Sequence, residues 1–319
     1  MLRSNVRMSA LSITTLLLLL AAVAVWAAAS AGVSRGRDAA PEAGKAGGGG
    51  PVVVELFTSQ GCSSCPPADR LLSRLKRDKR WAGTVIPLAY HVDYWNHLGW
   101  SDPFSSSRWS QRQMGYAQVF HSDRIYTPQL VVNGRTETVG SEEAQVMRRI
   151  RDALAAPAVA QVSLATPVEG TAAGAGPGAT GAPGAPGARI TVTARLLRPV
   201  SGTGPDVWVA LTESGLTTAV GAGENASATL HDDQVVRVLV KAFSLPATTV
   251  SGTSSAPGTS GTPGTPGTAG DSGGEPRSAD VALPIDSRWN RANMDVVAFL
   301  QDPRSLTIYG AATRPLAPR

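Results

Sequence analysis

The 319-residue chain contains only two cysteines, Cys62 and Cys65, and no closely spaced histidine pair. A closed structural zinc site usually needs four ligands, and no second Cys pair or closely spaced His pair accompanies the two cysteines, so the pattern disfavours zinc. Charged residues make up 17% of the sequence, and the net charge falls from +5 to +3 once Arg3 and Arg7 of the N-terminal segment are set aside. The basic residues are scattered or sit on a helix face around Met147–Arg151. A nucleic-acid partner would call for a concentrated basic surface with stacking aromatics, so none is expected. Beyond residue 29 no stretch is apolar enough to span a membrane. Gly-Ala-Pro and Gly-Thr-Pro triplets occur near 170–188 and 251–276, but too few are present for a collagen helix, and they are expected to be disordered loops.

With 42% hydrophobic residues, the chain has material for two domains with real cores. Arg3 and Arg7 precede an apolar run to Ala29, and Ala29-Ser30-Ala31 has the small residues of a cleavage site. Residues 1–31 therefore read as an export signal. An uncleaved N-terminal anchor is the competing reading, and it is the only membrane association expected. Either way the remainder lies outside the cytoplasm, periplasmic or secreted, where two cysteines are expected to pair. Residues 32–50 are rich in glycine and alanine and read as a flexible linker.

From 51 to 157 the pattern is that of a mixed α/β unit. The run Val52–Phe57 predicts a buried strand, Leu71, Leu72 and Leu75 share one face of a helix over 69–79, and Val85–Val92 predicts a second strand. An aromatic-rich insertion at 93–104 is followed by a helix over 107–120, with Ser106 or Ser107 as its cap. Asn133-Gly134 between Leu130–Val132 and Arg135–Val139 predicts a tight hairpin, and Ser141 is positioned to cap a helix through Ala155. The order is β-α-β-α-β-β-α.

Residues 158–319 lose the helical period. Ile190, Val192, Ala194 and Leu196 alternate with Thr191, Thr193 and Arg195, and strands are also predicted at 207–211, 235–240, 281–283, 296–300 and 306–309. Short strands joined by Gly- and Pro-rich loops predict an all-β, sandwich-like second domain. His231 reads as a loop residue, and Asn225-Ala226-Ser227 matches a glycosylation acceptor.

Cys62-Ser63-Ser64-Cys65 lies directly after a predicted strand and before a predicted helix, the setting of a redox pair. A thiolate at Cys62 would attack a partner disulfide and Cys65 would resolve the mixed species. A permanent structural disulfide needs only an oxidising compartment and stays open as an alternative, although so short a loop gains little from cross-linking. Pro128, before the hairpin, is the position for a cis bond.

The segment Glu55–Asp69, with His91–Trp95, Gly99-Trp100, Tyr126–Gln129 and Val139-Gly140, resembles the exported family called domain of unknown function 1223. Gly223-Glu224-Asn225 and Val296–Gln301 resemble that family's C-terminal half. The resemblance implies a thioredoxin-like fold for 51–157, with no substrate attached. Against the broader thioredoxin pattern, Gly61 stands in place of tryptophan and Ser63-Ser64 in place of Gly-Pro. Glu55 lies one residue from the usual buried acid of the first strand, and Pro67 is expected to delay the helix past Pro66.

The function expected is thiol-disulfide exchange with a protein partner: Cys62 and Cys65 are the catalytic pair, and Thr127 and Pro128 present backbone to an extended substrate. No cofactor is expected and no metal ligands are assigned. Two alternatives stand beside it. One is a non-enzymatic binding module with a structural disulfide; the other is a copper carrier drawing on His91, His97, His121 and the cysteines.

Overall fold

The computed structural model describes residues 49–171, 186–247 and 274–317. The readings of 1–31 as a signal, of most of the linker, and of the centres of the two Gly- and Pro-rich stretches fall outside the described residues. The margins of the first stretch are strand rather than loop: one strand ends at Thr171 and another begins at Pro186.

The order opens β1 (Val52–Thr58), α1 (Pro66–Arg77), β2 (Val85–His91), α2 (Ser107–Val119), β3 (Gln129–Val132), β4 (Thr136–Val139) and α3 (Glu143–Ala155). It continues as β5 (Ala160–Leu164), β6 (Val168–Thr171), β7 (Pro186–Leu196), β8 (Asp206–Glu213), β9 (Leu216–Ala219) and β10 (Thr229–Asp232). Last come β11 (Val235–Ser244), β12 (Arg277–Pro284), β13 (Met294–Gln301) and β14 (Ile308–Pro315). The whole is a mixed α/β protein with one large sheet and few helices.

Local chemistry accounts for most boundaries. The Ser106 hydroxyl caps α2 by accepting the Arg108 N–H. α3 begins instead after Glu142, with no side-chain cap, so Ser141 does not take the role expected of it. α1 starts at Pro66 and not later, because prolines in a helix's first turn give up amides that have no intrahelical acceptor. At the hairpin, Asn133 and Gly134 both adopt positive φ. Gly134 also lies against the Leu306 carbonyl, where a Cβ would come within 1.9 Å of the oxygen, so the turn tolerates no side chain.

Eight strands form the large sheet in the order β14-β13-β8-β11-β2-β1-β3-β4. β1 and β2 are parallel, β3 is antiparallel to β1, and β11 joins β2 in parallel through Val235 and Ala89. The boundary expected between 157 and 158 does not divide this sheet, which draws strands from both sides of it. Alternation on each strand shows that a face is buried but does not show which edge a strand will pair along.

Three apolar clusters follow from the pleat. Val52, Val54 and Leu56 face α1 and α3 through Leu71, Leu72, Leu75, Val146 and Ile150. Val53, Phe57, Ile86 and Tyr90 face α2 through Trp109 and Tyr116, and Val297 and Phe299 of β13 join the same cluster. The alternate residues Val296, Ala298 and Leu300, with Val207, Val209 and Leu211, face the smaller sheet β12-β7-β5. β13 is therefore buried on both faces, which explains its unbroken apolar run.

Candidate functional site at the Cys62–Cys65 disulfide

Cys62 and Cys65 form a disulfide with Cα atoms 5.5 Å apart, on the turn between β1 and α1, and Cys65 is the residue that caps α1. The segment turns because the Cys62 N–H donates to Ser59 O and the Cys65 N–H to Cys62 O, each at 3.2 Å. Ser63 and Ser64 are exposed, yet both cysteines are 0% exposed.

The Thr127–Pro128 peptide bond is cis. This loop lies against the disulfide: the Thr127 hydroxyl donates to Cys62 Sγ at 3.2 Å while accepting the Trp95 indole N–H at 2.8 Å. Because Trp95 supplies a proton to the hydroxyl oxygen, the hydroxyl's own proton is directed at the sulfur. The Ser64 hydroxyl lies 3.4 Å from the same sulfur and 3.5 Å from Thr127 O. All four residues singled out in the sequence, Cys62, Cys65, Thr127 and Pro128, thus meet in one place. Trp95 also explains the departure at Gly61, where a Cβ would approach Trp95 Cβ to 3.1 Å.

Gly140 supports the cis-proline loop from below. Its N–H donates to Pro128 O at 2.8 Å, and a Cβ there would meet Leu56 Cδ1 at 2.8 Å and Ala68 Cβ at 3.1 Å. Gly140→Ala is expected to cost about 1–3 kcal/mol, the usual cost of overpacking a filled site. Urea denaturation of the variant checks it, and an unchanged midpoint would show that Leu56 moves aside freely.

Beneath the disulfide lies a buried polar cluster that local sequence patterns do not reveal. His91 at the end of β2, 1% exposed, bonds through Nδ1 to Asp102 Oδ2 at 2.8 Å. Asp102 also accepts the Gln60 N–H at 2.9 Å, and the Gln60 side chain donates to Asp232 Oδ2 at 2.7 Å and accepts the Trp100 indole N–H at 3.2 Å. Asp69, one turn into α1 from Cys65, accepts the Thr58 hydroxyl at 2.8 Å. His91 Nε2 stands 3.9 Å from Asp232 Oδ1 and makes no hydrogen bond among the described residues.

Charges in this cluster act on one another. Burial, with the neighbouring Asp232 charge, pushes Asp69 up to about 7, partly opposed by His91. Burial likewise raises Asp232. For His91 burial favours the neutral ring, but Asp102 foremost, then Asp232 and Asp69, outweigh it and raise the imidazole to about 9. Against the effect of its own burial, Asp102 is held below its ordinary value by His91.

A turn from the C-terminal half closes the site. Asn225 Nδ2 donates to Gln60 O and to Cys62 O, both at 2.9 Å, and Glu224 Oε2 accepts the Ser63 N–H at 2.9 Å. Both amide protons of Asn225 are thereby engaged, so the glycosylation pattern there coincides with an internal structural contact. His231 lies on β10 and pairs with Thr217, not in a loop. His97 and His121 are exposed, and among the described residues no group of three His, Cys, Asp or Glu is arranged to hold a metal ion. Nor is any described helix long and apolar enough to cross a membrane.

Fold and site together define a class: mixed α/β proteins that carry a Cys-x-x-Cys disulfide at the head of a helix, beside a cis-proline loop. A family model described as "Protein of unknown function (DUF1223)" matches residues 53–265, and the chain belongs to this family. No curated protein matches it. Among solved structures it is similar to a protein of Agrobacterium tumefaciens, at 23% identity over 85% of this chain and 96% of that one, with a TM-score of 0.52. It is also similar to HBP35 of Porphyromonas gingivalis, at 15% identity over 84% of this chain and 76% of that one, with a TM-score of 0.53. At these identities the likeness is one of fold.

Proposed function

We propose that this protein is an exported thiol-disulfide oxidoreductase, with 51–157 as a thioredoxin-like unit whose sheet is extended by strands of 158–319, and with β12, β7 and β5 as a sandwich-like second layer. The observation that carries the reading is the Thr127 hydroxyl, which the Trp95 indole orients so that its proton points at Cys62 Sγ across a cis-proline loop. A donor fixed on that sulfur favours negative charge on it, as a leaving or attacking thiolate requires.

In the oxidised form described, a partner dithiol is the reductant. One partner thiolate attacks Cys62 Sγ, the Cys62–Cys65 bond breaks, and its electron pair leaves on Cys65 Sγ, which takes up a proton. The partner's second thiolate then attacks its own sulfur in the mixed disulfide. Cys62 leaves as a thiolate, and the partner is oxidised by two electrons. Thr127 and Pro128 offer backbone to the partner's extended chain. The N-terminal segment supports export, to a compartment where such exchange operates.

The test is reduction of insulin by dithiothreitol, with the Cys62–Cys65 potential measured alongside. The native chain is expected to accelerate the reaction and Cys62→Ser to return it to the uncatalysed rate. A potential below about −300 mV, the range of inert structural disulfides, with no acceleration, overturns the reading. One observation favours a second reading, a binding module with a structural disulfide: both cysteines are 0% exposed. The same pair of measurements decides between them.

A further inference from the structure

The turn between β9 and β10 makes three hydrogen bonds to the Gln60–Ser63 segment and none of them is needed to form the hairpin itself. The hairpin is closed by its own ladder and by the Val220 N–H to Ala228 O bond at 2.9 Å. The turn is seated on the aromatic insertion, where a Cβ at Gly223 would lie 3.2 Å from Trp100 Cβ. From that seat Asn225 spans the carbonyls of Gln60 and Cys62, and the exposed carboxylate of Glu224 takes the amide of Ser63, the residue next to Cys62.

These contacts act on redox chemistry in two ways. The Ser63 N–H is held by Glu224, so it is withdrawn from any anion that forms on Cys62. Glu224 also places a negative charge on the amide of the residue next to Cys62, whose sulfur carries negative charge once it leaves the mixed disulfide as a thiolate. Like charges oppose each other, and salt screens the effect at an exposed carboxylate.

We propose that Glu224 and Asn225 are positioning residues for the Cys62–Cys65 pair: Asn225 fixes the loop that carries Cys62, and Glu224 opposes a thiolate there, so that the turn favours the disulfide and must release it for exchange. The proposal rests on the redox reading of the pair and assigns part of its control to the C-terminal half of the chain. The electron balance is that given above, with the turn acting before the partner thiolate reaches Cys62.

The test uses the full chain equilibrated with dithiothreitol redox buffers, with the oxidised fraction read by thiol alkylation. Glu224→Gln keeps an acceptor for Ser63 but removes the charge. It is expected to shift the equilibrium toward the dithiol by about three- to tenfold at low salt. The shift should shrink in ~1 M salt, where charges are screened within about 3 Å. Glu224→Asp, which retains the charge, should stay closer to the native value. Asn225→Ala should increase the rate at which dithiothreitol opens the disulfide.

A Glu224→Gln equilibrium within twofold of native at low salt, or a shift that salt leaves untouched, overturns the proposal. This outcome is separable from failure of the functional reading. Absence of insulin exchange with a persistent Glu224→Gln shift removes the enzyme and keeps the turn's role, whereas exchange with no shift does the reverse.

Discussion

Replacing Arg112 with methionine is expected to destabilise the protein by about 3–5 kcal/mol, the cost of leaving a buried charge without its partner. Glu55 is fully buried on β1, and Arg112 of α2 bonds its carboxylate at 2.7 Å. The Tyr116 hydroxyl donates to the other carboxylate oxygen. Burial, then the Glu55 charge, push the Tyr116 phenol well above its ordinary value, so it remains a donor. Arg112 also reaches Gln301 Oε1 at 3.2 Å, and its guanidinium lies 5.4–5.5 Å from the ring centres of Tyr90, Tyr116 and Phe299. Methionine fills comparable volume, so the loss is mainly electrostatic. Pairing Arg112→Met with Glu55→Gln removes the orphaned charge and should recover much of the stability. Urea unfolding of the native, single and double variants at pH 7 checks this. A single variant within about 1 kcal/mol of native, or a double variant no better than the single, would contradict it.

The second large effect concerns pH. Asp69 is raised from 3.8 to about 7, and His91 from 6.5 to about 9. Between about pH 4 and 7 the folded protein holds a proton on Asp69 that the unfolded chain has lost, and between about pH 6.5 and 9 it holds one on His91. Unfolding therefore releases protons across both windows, and stability falls as pH rises through each. The lowered Asp102 acts in the opposite sense: its contribution is present above its unfolded value and is lost in acid. Stability should accordingly be highest near pH 4–5 and decline by several kcal/mol toward pH 9, since each proton held only by the folded chain is worth about 1.4 kcal/mol for every pH step of one. Urea midpoints across pH 4–9 measure it. Asp69→Asn should flatten the lower part of the decline, and an unchanged slope between pH 5 and 7 would refute the assignment.

Much of the first half was legible because its signals are local. The Asn133-Gly134 pair, the Ser106 cap and the Leu71, Leu72 and Leu75 face each depend on residues within one turn or hairpin. The disulfide and its cis-proline neighbour were legible for a different reason: the β-α and loop-strand junctions that hold them are marked by punctuating residues. The acidic cluster was not. His91, Asp102 and Asp232 come from a strand end, an irregular loop and a later hairpin, and no spacing links them. Only Asp69, four residues after Cys65, carried a hint, since positions i and i+4 share a helix face. The hairpin β9-β10 was hidden because its strands are four residues each and half exposed, leaving no apolar run to read. Asn225 and Glu224 could be noticed in the sequence, but their partners at Gln60, Cys62 and Ser63 lie some 160 positions away.

The docking of β11 beside β2 covers a strand edge that would otherwise be open to pairing with another chain. All seven residues of β2 are buried, and its outer side is met by Val235 and by the Gln234 carbonyl, which accepts the Ala89 N–H at 2.9 Å. A fragment ending near residue 157 would present Val85–His91 as an apolar edge strand with open backbone donors and acceptors, the template along which further chains add and aggregate. The later residues thus serve the earlier ones as an edge guard, and the order of synthesis leaves that edge open until β11 has emerged.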